Sequence, residues 1–518
     1  MLHQESFQIV GTRAFSDCLR VEMDKTPRAA VFDSAGGKVS YRALQAMAEA
    51  IAAHLPGPGM MAEESIAICA EKTPDCLAAV LAVLSGGRAY APLDPAHPDG
   101  RLMDILADLH PSALIVDAST APRLAGWAVE AGVPLVDLSE MTGPGATPQH
   151  VAASGTGLNV VVSQQSLAAV LHTSGSTGRP KRVEIEAHAL NVFQDWVVDE
   201  LDLNIDDCLL SHAPFAFDLS FLDIYASLMS GADLALADAR TARNGAKLIE
   251  MMRQAGVTVW HSAPSALKLV AQTPGHPVLP EVRCVLFAGE PMPAKTLQRL
   301  FAIFPNARVL NIYGCTETND TFYYEVPREN PPDPLPLGRK LPYVEYLLAG
   351  PEGAVIEGKG EGELWVHCPT MMRGYSDPEL TARATVQHGG KLYYRSGDIV
   401  RRDRAGLIHF VGRNDSIVKL SGVRVDLNEV DGHLNAHPGV CEALCFITKS
   451  GDGTVLNAWV KTKADGLTSL DLRLHLMKRL PVAAIPRNFT ISLMAVPKNS
   501  NGKACRRMLA QNCQSASA

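Results

Sequence analysis

Apolar positions along the chain alternate between short continuous runs and longer stretches with helical spacing. The runs at 167–171, 257–260, 284–288 and 309–312 are short and rich in β-branched residues, which predicts buried strands. Residues 41–55, 77–84 and 188–196 carry apolar residues at the spacing of helices, and Gly86 and Gly87 follow the second of these. This alternation predicts an α/β protein in which sheets and helices form layers.

A stretch of small and hydroxylated residues follows the first of these runs. Residues 171–181 read LHTSGSTGRPK. The two glycines let backbone N–H groups approach an anion, and hydroxyl and ammonium groups add donors. The spacing differs from that of the nucleotide P-loop. A phosphate-holding loop is therefore predicted, and a surface turn is the alternative. Its residues are Thr173, Ser174, Gly175, Ser176, Thr177, Gly178 and Lys181.

Polar residues stand at two further kinds of position. Asp218 lies among apolar residues in the stretch FDLSFLDIY, and such a carboxylate is costly to bury without a partner. It could simply cap the helix that follows. Three predicted strands also end at polar segments, which are HSAP after 260, GE after 288 and YGCTET after 312. Ligands bind beyond the carboxyl ends of strands in open α/β sheets, so a site is expected there.

Composition excludes several classes of protein. The chain has 518 residues, of which 47% are hydrophobic and 20% are charged, as in a soluble protein of more than one domain. A net charge of −8 without basic clusters argues against nucleic acid or an anionic membrane as a partner. No signal peptide or membrane span is visible. The 11 cysteines are scattered and odd in number, which predicts reduced thiols and a cytoplasmic location.

The ordered set of motifs resembles the adenylate-forming enzymes, which comprise acyl- and aryl-CoA synthetases, luciferases and the adenylation domains of nonribosomal peptide synthesis. The resemblance runs from about residue 39 to 503 and adds YAPLDP at 90, YRSGD at 394 and FVGRNDSIVKLSGVR at 410. It implies a large N-terminal adenylation domain, residues 1–414, and a small mobile α/β domain, residues 415–518. Two residues depart from the family pattern. Cys315 replaces a proline. Arg182 replaces a glycine, so either that position needs no positive φ or the arginine reaches the phosphates.

The resemblance also implies how ATP and Mg²⁺ are held. Tyr313 would stack on adenine, Asn311 would face its edge, and Gly314 is a further nucleotide-binding residue. Thr316 would contact the α-phosphate, and Glu317 would hold Mg²⁺, which prefers hard oxygen ligands. Asp398 and Arg413 would bind the ribose hydroxyls.

An amino acid substrate is implied by Asp218, which in amino-acid-activating members binds the α-ammonium. Acyl- and aryl-CoA synthetases, the alternative class, have no reason for a carboxylate there. The sequences of the motifs resemble those of D-alanine–carrier and prolyl-carrier ligases. Three of the implied pocket positions, His261, Asp320 and Thr321, are polar and favour a small serine-like substrate, with alanine and proline left open. The remaining positions are Leu219, Leu222, Leu286, Ala288, Gly289 and Ile312.

The C-terminal part would supply the moving groups. By resemblance Asp415 is the hinge, Gly422 lines the path of a pantetheine arm, and Lys503 enters the site to contact the substrate carboxylate and the α-phosphate. No carrier domain follows before Ala518. A free-standing ligase is therefore expected, acting on a separate phosphopantetheinylated carrier protein. A non-catalytic relative would normally have lost Lys503 or Glu317, and both are present.

Overall fold

The computed structural model describes most of the chain. The residues described are 29–57, 64–142, 165–173, 180–275, 277–413, 416–420, 422–450, 453–462, 466–493, Arg506, 509–510 and Cys513. Ser174, Gly175, Ser176, Thr177, Gly178, Asp415 and Lys503 therefore lie outside the described residues.

The strands in chain order are β1 (Ala30–Phe32), β2 (Lys38–Ser40), β3 (Ser65–Cys69), β4 (Ala89–Pro92), β5 (Ala113–Val116), β6 (Leu135–Asp137), β7 (Leu167–Thr173), β8 (Lys181–Glu186), β9 (Cys208–Ser211), β10 (Asp233–Leu236), β11 (Val259–Ser262), β12 (Cys284–Ala288), β13 (Arg308–Cys315), β14 (Asn319–Glu325), β15 (Arg339–Lys340), β16 (Glu345–Ala349), β17 (Gly360–His367), β18 (Gly374–Tyr375), β19 (Thr385–His388), β20 (Lys391–Arg402), β21 (Ile408–Arg413), β22 (Ile417–Leu420), β23 (Val423–Asp426), β24 (Val440–Ser450), β25 (Gly453–Thr462) and β26 (Asn488–Ser492).

The α-helices are α1 (Tyr41–Ala52), α2 (Pro74–Ser85), α3 (Asp99–Leu109), α4 (Ala121–Ala131), α5 (Leu138–Thr142), α6 (Ala187–Leu201), α7 (Leu219–Ser230), α8 (Gly245–Ala255), α9 (Pro264–Ala271), α10 (Ala294–Ile303), α11 (Pro378–Ala384), α12 (Leu427–Asn435) and α13 (Ser469–Leu476). Short 3₁₀ turns occupy Pro351–Gly353 and Val482–Ala484. Within the described residues, no helix is both long and apolar enough to cross a membrane.

Two large sheets form the frame of the N-terminal part. One has the strand order β15-β14-β13-β12-β11-β9-β10-β1-β2, and the other has the order β18-β8-β7-β4-β3-β5-β6. A third sheet contains β16, β17, β20 and β19, with β21 paired to β20. One continuous hydrophobic core joins both large sheets with α1, α2, α6 and α7. The α/β class with layered sheets is therefore confirmed.

Local sequence explains where the helix in the middle of that core begins and ends. The Thr73 side chain accepts a hydrogen bond from the Cys76 N–H, and Pro74 occupies the first turn, where its missing N–H costs nothing. Gly87 follows the helix with φ +69°, a conformation in which glycine has no steric penalty. Ten of the residues of α2 are buried, so this helix lies inside the layers rather than on their surface.

The C-terminal part has a core of its own. Apolar residues of β22 to β26, α12 and α13 form a separate cluster between Leu420 and Ile491. The sheet β24-β25-β26 and the hairpin β22–β23 belong to this part. The division of the chain at residues 414 and 415 stays a prediction, since both residues lie outside the described part.

Strand predictions at 167–171, 284–288 and 309–312 coincide with β7, β12 and β13, and the run at 257–260 begins two residues before β11.

Arg182 lies within β8 and is absent from the described residues with positive φ. The backbone at this position therefore needs no glycine. Its guanidinium donates to the Asp108 carbonyl oxygen at 3.3 Å and lies 3.5 Å from Glu184.

Candidate active site

Four adjacent parallel strands bring the predicted pocket residues to one edge of the nine-stranded sheet. In the register of β9, β11, β12 and β13, His261 pairs with both Ser211 and Leu286, and Ala288 pairs with Ile312. Because the carboxyl ends of parallel strands meet at one edge, the segments after these strands converge there. The turn Thr316–Thr318 between β13 and β14 lies at the same edge.

At one side of this edge a tyrosine, a carboxylate and an arginine form a closed hydrogen-bonded group. The Tyr313 hydroxyl donates to one oxygen of Asp398, and the Arg413 guanidinium pairs with the other. Burial raises the pKa of Asp398, and the positive charge of Arg413 opposes the rise. Asn311 is buried and donates to the Pro336 carbonyl oxygen at 2.7 Å. Tyr313, Asp398 and Arg413 are thus held together, with the Asp398 oxygens already engaged by protein groups, whereas Asn311 makes a separate contact.

Glu317 is completely buried and carries three hydrogen bonds from side chains. The Tyr375 hydroxyl donates to Oε1 at 2.6 Å, and Nη1 of Arg424 lies 2.8 and 2.7 Å from the two oxygens. Burial raises the carboxyl pKa, but Arg424 and the hydrogen bonds outweigh it and lower the pKa to about 2. Glu317 is therefore an ionised carboxylate at neutral pH.

The donor chemistry at Glu317 fits the predicted Mg²⁺. An ionised carboxylate is the hard oxygen ligand that this ion takes, usually with one or two protein carboxylates and the rest of its shell from phosphates and water. No described group of three or more His, Cys, Asp or Glu side chains forms an all-protein metal cage. A metal at Glu317 would have to share or replace the contacts of Arg424.

The two ends of the predicted phosphate loop are paired with each other, and one of them lies near the tyrosine that contacts this carboxylate. Thr173 ends β7 and pairs with Lys181, which begins β8. The Lys181 ammonium lies 5.6 Å from the centre of the Tyr375 ring, whose hydroxyl contacts Glu317. The buried Thr173 hydroxyl has no hydrogen-bond partner among the described residues. Donors for an anion are therefore present at both ends of the loop. Thr316, in the turn before Glu317, is partly buried.

The amino acid side of the edge is lined by apolar residues of one core. Leu219 packs against the main core cluster, whose buried members include Leu222, Leu286, Ala288 and Ile312. Thr321 is buried and donates to the Tyr313 carbonyl oxygen at 3.2 Å. The predicted pocket positions are thus brought together.

Two carboxylates lie in this region. Asp218 is the N-cap of α7, and its Oδ1 accepts from the Leu219 N–H at 2.9 Å, so the capping interpretation holds for this structure. Asp320 pairs with Gly314 across β13 and β14. Burial, then the charge of Asp218, raise the Asp320 pKa to about 7, and Lys419 opposes them. Within the described part of the chain, the hydrogen bond at Asp320 is made by its backbone N–H and not by its carboxylate.

A buried polar cluster stands behind the pocket. Neither ring nitrogen of His261 has a hydrogen-bond partner of normal geometry among the described residues, and Nδ1 lies 3.9 Å from Asp223 Oδ1. Burial lowers the His261 pKa to about 4, and a contact to the Leu219 backbone, outside normal hydrogen-bond geometry, opposes the fall. Lys72 donates to the carbonyl oxygens of Ser211 and Ala213 at 2.7 and 2.9 Å, and burial lowers its pKa to about 7. At neutral pH His261 is therefore a neutral imidazole, and Lys72 of the same cluster is only partly protonated.

The C-terminal hairpin β22–β23 enters the same region. Gly422, between the two strands, has φ +81° and donates its N–H to Glu290, and a Cβ placed on it would lie 3.0 Å from that of Ala263. The Lys419 ammonium lies 3.8 Å from where a Cβ of Gly289 would be. Gly422, the predicted pantetheine glycine, is thus packed closely against Ala263 and Glu290 of the N-terminal part.

Sequence reasoning missed several residues of this site, namely Lys72, Asp223, Glu290, Tyr375, Lys419 and Arg424. A signal existed for Lys419 and Arg424, because both stand in the motif that ends at 424. The contacts of the others depend on chain folding, since Tyr375 is 58 residues from Glu317 and Lys72 is 139 from Ser211.

The profile of the AMP-binding enzyme family matches residues 19–376 of the chain. The chain therefore belongs to the AMP-binding enzymes. It is 34% identical over 495 residues to an L-proline–[L-prolyl-carrier protein] ligase of Streptomyces coelicolor, covering 91% of each chain. A ligase of the same description from Pseudomonas fluorescens is 33% identical, covering 92% of this chain and 94% of that one.

A solved structure shows the same fold. The adenylation domain AlmE of Vibrio cholerae, crystallised with glycyl-adenosine-5'-phosphate, aligns with a TM-score of 0.81 at 22% identity. The alignment covers 99% of this chain and 100% of that domain.

Proposed function

We propose that this protein is an ATP-dependent amino acid–[carrier protein] ligase that forms AMP and pyrophosphate. The observation that carries the proposal is the group of polar residues at the edge of β11, β12 and β13, with Asp218 at one side and Glu317 at the other. The likeness of the chain to two prolyl-carrier ligases over at least 91% of its length supports both the activation step and the transfer to a carrier.

In the first half-reaction a carboxylate oxygen of the amino acid attacks the α-phosphorus of ATP. The bond from that phosphorus to the bridging oxygen breaks, and pyrophosphate leaves. The protein's task is to hold two anionic reactants in line and to neutralise the charge that develops. Thr173, Lys181, Thr316 and Lys503 would supply donors and positive charge. A Mg²⁺ bound at Glu317 would neutralise phosphate charge.

The adenosine would lie against Tyr313, with its ribose hydroxyls at Asp398 and Arg413. Each carboxylate oxygen has two lone pairs, so Asp398 can accept from ribose while it keeps a contact to Arg413. The Tyr313 hydroxyl occupies one of these oxygens in the structure. Binding of the nucleotide would therefore either share this oxygen with the Tyr313 hydroxyl or displace that hydroxyl from Asp398.

In the second half-reaction the pantetheine thiol displaces AMP. Its sulfur bonds to the carbonyl carbon, the bond between that carbon and the AMP oxygen breaks, and the thiol proton passes to solvent. Gly422 would line the path of the arm, and Asp415 would let the small domain turn between the two steps. Lys503 would withdraw from the site during that turn.

The substrate is a small amino acid. Its α-ammonium would pair with Asp218, and its side chain would face Leu222, Leu286 and Ala288. His261 and Asp320 favour a side chain with a hydrogen-bonding group, since the described residues form no hydrogen bond of normal geometry to the His261 ring and none to the Asp320 carboxylate. Serine meets this description, while alanine and proline are the alternatives, and the likeness to proline ligases favours the last.

The experiment is ATP–pyrophosphate exchange over the proteinogenic amino acids, D-alanine, and the deamino analogue of each active compound. Exchange that depends on the α-amino group supports the ligase. Equal exchange with the deamino acids would instead favour an acyl- or aryl-CoA synthetase. Transfer to a carrier is then measured by the mass of the loaded phosphopantetheine arm.

A further inference from the structure

Arg424 holds both oxygens of the carboxylate that is assigned to the metal. Its Nη1 lies 2.8 and 2.7 Å from Oε1 and Oε2 of Glu317, which is wholly buried. The third hydrogen bond to that carboxylate comes from the Tyr375 hydroxyl. Arg424 stands on β23, two residues after Gly422, so it belongs to the hairpin that enters the site from the C-terminal part.

We propose that Arg424 is a positioning residue that takes the place of the divalent cation at Glu317, so that the metal and the docked hairpin exclude one another. This rests on the proposed function, because the metal role of Glu317 is part of it. Mg²⁺ needs near-octahedral oxygen ligands at about 2.0–2.1 Å. A guanidinium held at both oxygens obstructs that geometry, and its charge repels the metal.

The exchange keeps a buried charge paired at every stage. A buried carboxylate that loses its only cation is strongly destabilised. With Arg424 docked the guanidinium neutralises Glu317, and with the hairpin withdrawn a metal does so. The Glu317 carboxylate is therefore neutralised by Arg424 in one state and by the metal in the other.

Other contacts between the two parts belong to the same docked arrangement. Arg101 on α3 and Glu429 on α12 form a buried ion pair with an N–O distance of 2.7 Å. At the rim of the same interface, Arg479 lies 2.6 Å from Asp104, and both side chains are about half exposed. Metal binding at Glu317 should therefore weaken contacts at this rim, far along the chain from the carboxylate itself.

That rim offers a readout of docking that is independent of catalysis. In an Arg479→Lys background, a zero-length carbodiimide can join the introduced amine to the Asp104 carboxylate only while the two parts are docked. The native pair Lys391 and Glu345 has the same chemistry at 2.8 Å and lies within the N-terminal part, so its cross-link is the internal control. Mass spectrometry of the digest gives the ratio of the two products.

The ligand is Mg²⁺ with an ATP analogue that has a methylene bridge between the α- and β-phosphates, which blocks turnover. We expect the 104–479 cross-link to fall severalfold with metal and analogue together and to change little with the analogue alone. Arg424→Met should lower the cross-link without metal and remove the response.

The same variant should bind the metal more tightly. Affinity for a state that is only partly populated is reduced by that fraction, so a protein that is nine-tenths docked binds about tenfold more weakly than one that is not. Calorimetry with the Mn²⁺ complex of the analogue should therefore give an apparent Kd on the order of tenfold lower for Arg424→Met. Arg424→Lys retains a cation, and we expect it to lie between the two proteins.

Three outcomes would overturn the proposal. The first is a cross-link that is indifferent to bound metal, and the second is an unchanged Kd in Arg424→Met. The third is an Arg424→Lys protein that matches Arg424→Met in both readouts, since a cation at this position would then be irrelevant. Pyrophosphate exchange run in parallel separates the two claims. If the protein catalyses pyrophosphate exchange but its docking does not depend on metal, the ligase function stands and the Arg424 proposal is wrong. If docking depends on metal but no pyrophosphate exchange is found, only the ligase function is overturned.

Discussion

The two sides of the candidate site differ in how their polar groups are satisfied. On the nucleotide side, Asp398 and Glu317 are each held by an arginine and a tyrosine hydroxyl. On the amino acid side, the described residues give His261 and Asp320 no such partners. A ligand on the nucleotide side must therefore share or displace protein contacts. A ligand on the other side can satisfy polar groups for which the described residues supply no hydrogen bond of normal geometry.

This difference suggests separate energetic roles for the two sides. Displacing one partner of a buried ion pair is costly unless an equivalent charge replaces it, so the nucleotide side should select strictly for charge and metal. Buried polar groups without partners penalise any ligand that cannot pair with them, so the amino acid side should select for side-chain chemistry. Substitutions on each side test this contrast.

The largest expected effect is at Asp218, where a buried ammonium would lose its counter-charge. We expect Asp218→Ala to lose roughly 3–5 kcal/mol of transition-state stabilisation, which lowers kcat/KM for the amino acid on the order of a hundred- to several-thousand-fold. Asp218→Asn is the matched control, because asparagine caps a helix about as well as aspartate. If the asparagine protein keeps full activity, capping accounts for Asp218 and the ammonium role is wrong.

The next largest effect is expected at Lys503, the cation that the C-terminal part would bring to the nucleotide side. Lys503→Ala should lose adenylation by on the order of 10²–10³, the usual cost of one charge-stabilising contact. It should still transfer a supplied aminoacyl-AMP to the carrier. Single-turnover assays of each half-reaction measure this.

Asp415→Pro is the complementary variant, since proline fixes φ and would hold the hinge in one conformation. We expect it to adenylate and to fail in transfer. Both residues lie outside the described part of the chain, so these assays also test the proposed division into domains. Equal slowing of both steps in both variants would contradict the two-conformation account.

A third effect is on stability, at the carboxylate of Asp320 on the amino acid side. The Asp320 pKa rises from the ordinary 3.8 to about 7 because the group is desolvated by burial and faces Asp218, and Lys419 only partly compensates. Between about pH 4 and 7 the folded protein therefore keeps a proton that the unfolded chain has lost. The free energy of unfolding should fall as pH rises through this window.

Asp320→Asn should lack that decline. We expect the variant and the parent to differ little at about pH 4, and the variant to be more stable at about pH 8 by roughly 2–4 kcal/mol. Urea unfolding of both proteins across this pH range measures the difference. If the two proteins instead lose stability in parallel across this range, the pKa of Asp320 in the folded protein is not raised.

Sequence alone could predict what depends on local pattern. The strands at 284–288 and 309–312 and the convergence of their ends follow from apolar runs and from the rule for parallel sheets. It also allowed both interpretations of Asp218, and the structure shows its capping contact. The pairing of Glu317 with Arg424 could not be predicted, because it joins residues 107 apart across two parts of the chain. The motif that ends at 424 singles out the arginine, but nothing local identifies Glu317 as its partner.

The smallest effect, and the one that most sharpens the contrast, is at His261. A buried neutral imidazole to which the described residues give no hydrogen bond of normal geometry should reject a purely apolar side chain and accept one that can pair with it. We expect His261→Leu, and likewise Asp320→Leu, to move preference from a polar to an apolar small amino acid by roughly 10–200-fold in the ratio of kcat/KM values. The matched control is His212→Leu, since His212 is partly buried and bonds the Ala242 carbonyl and Ser262. It should leave the ranking of substrates unchanged. An unaltered ranking in both pocket variants would contradict the role of these residues in selection, and with it the preference for a serine-like substrate.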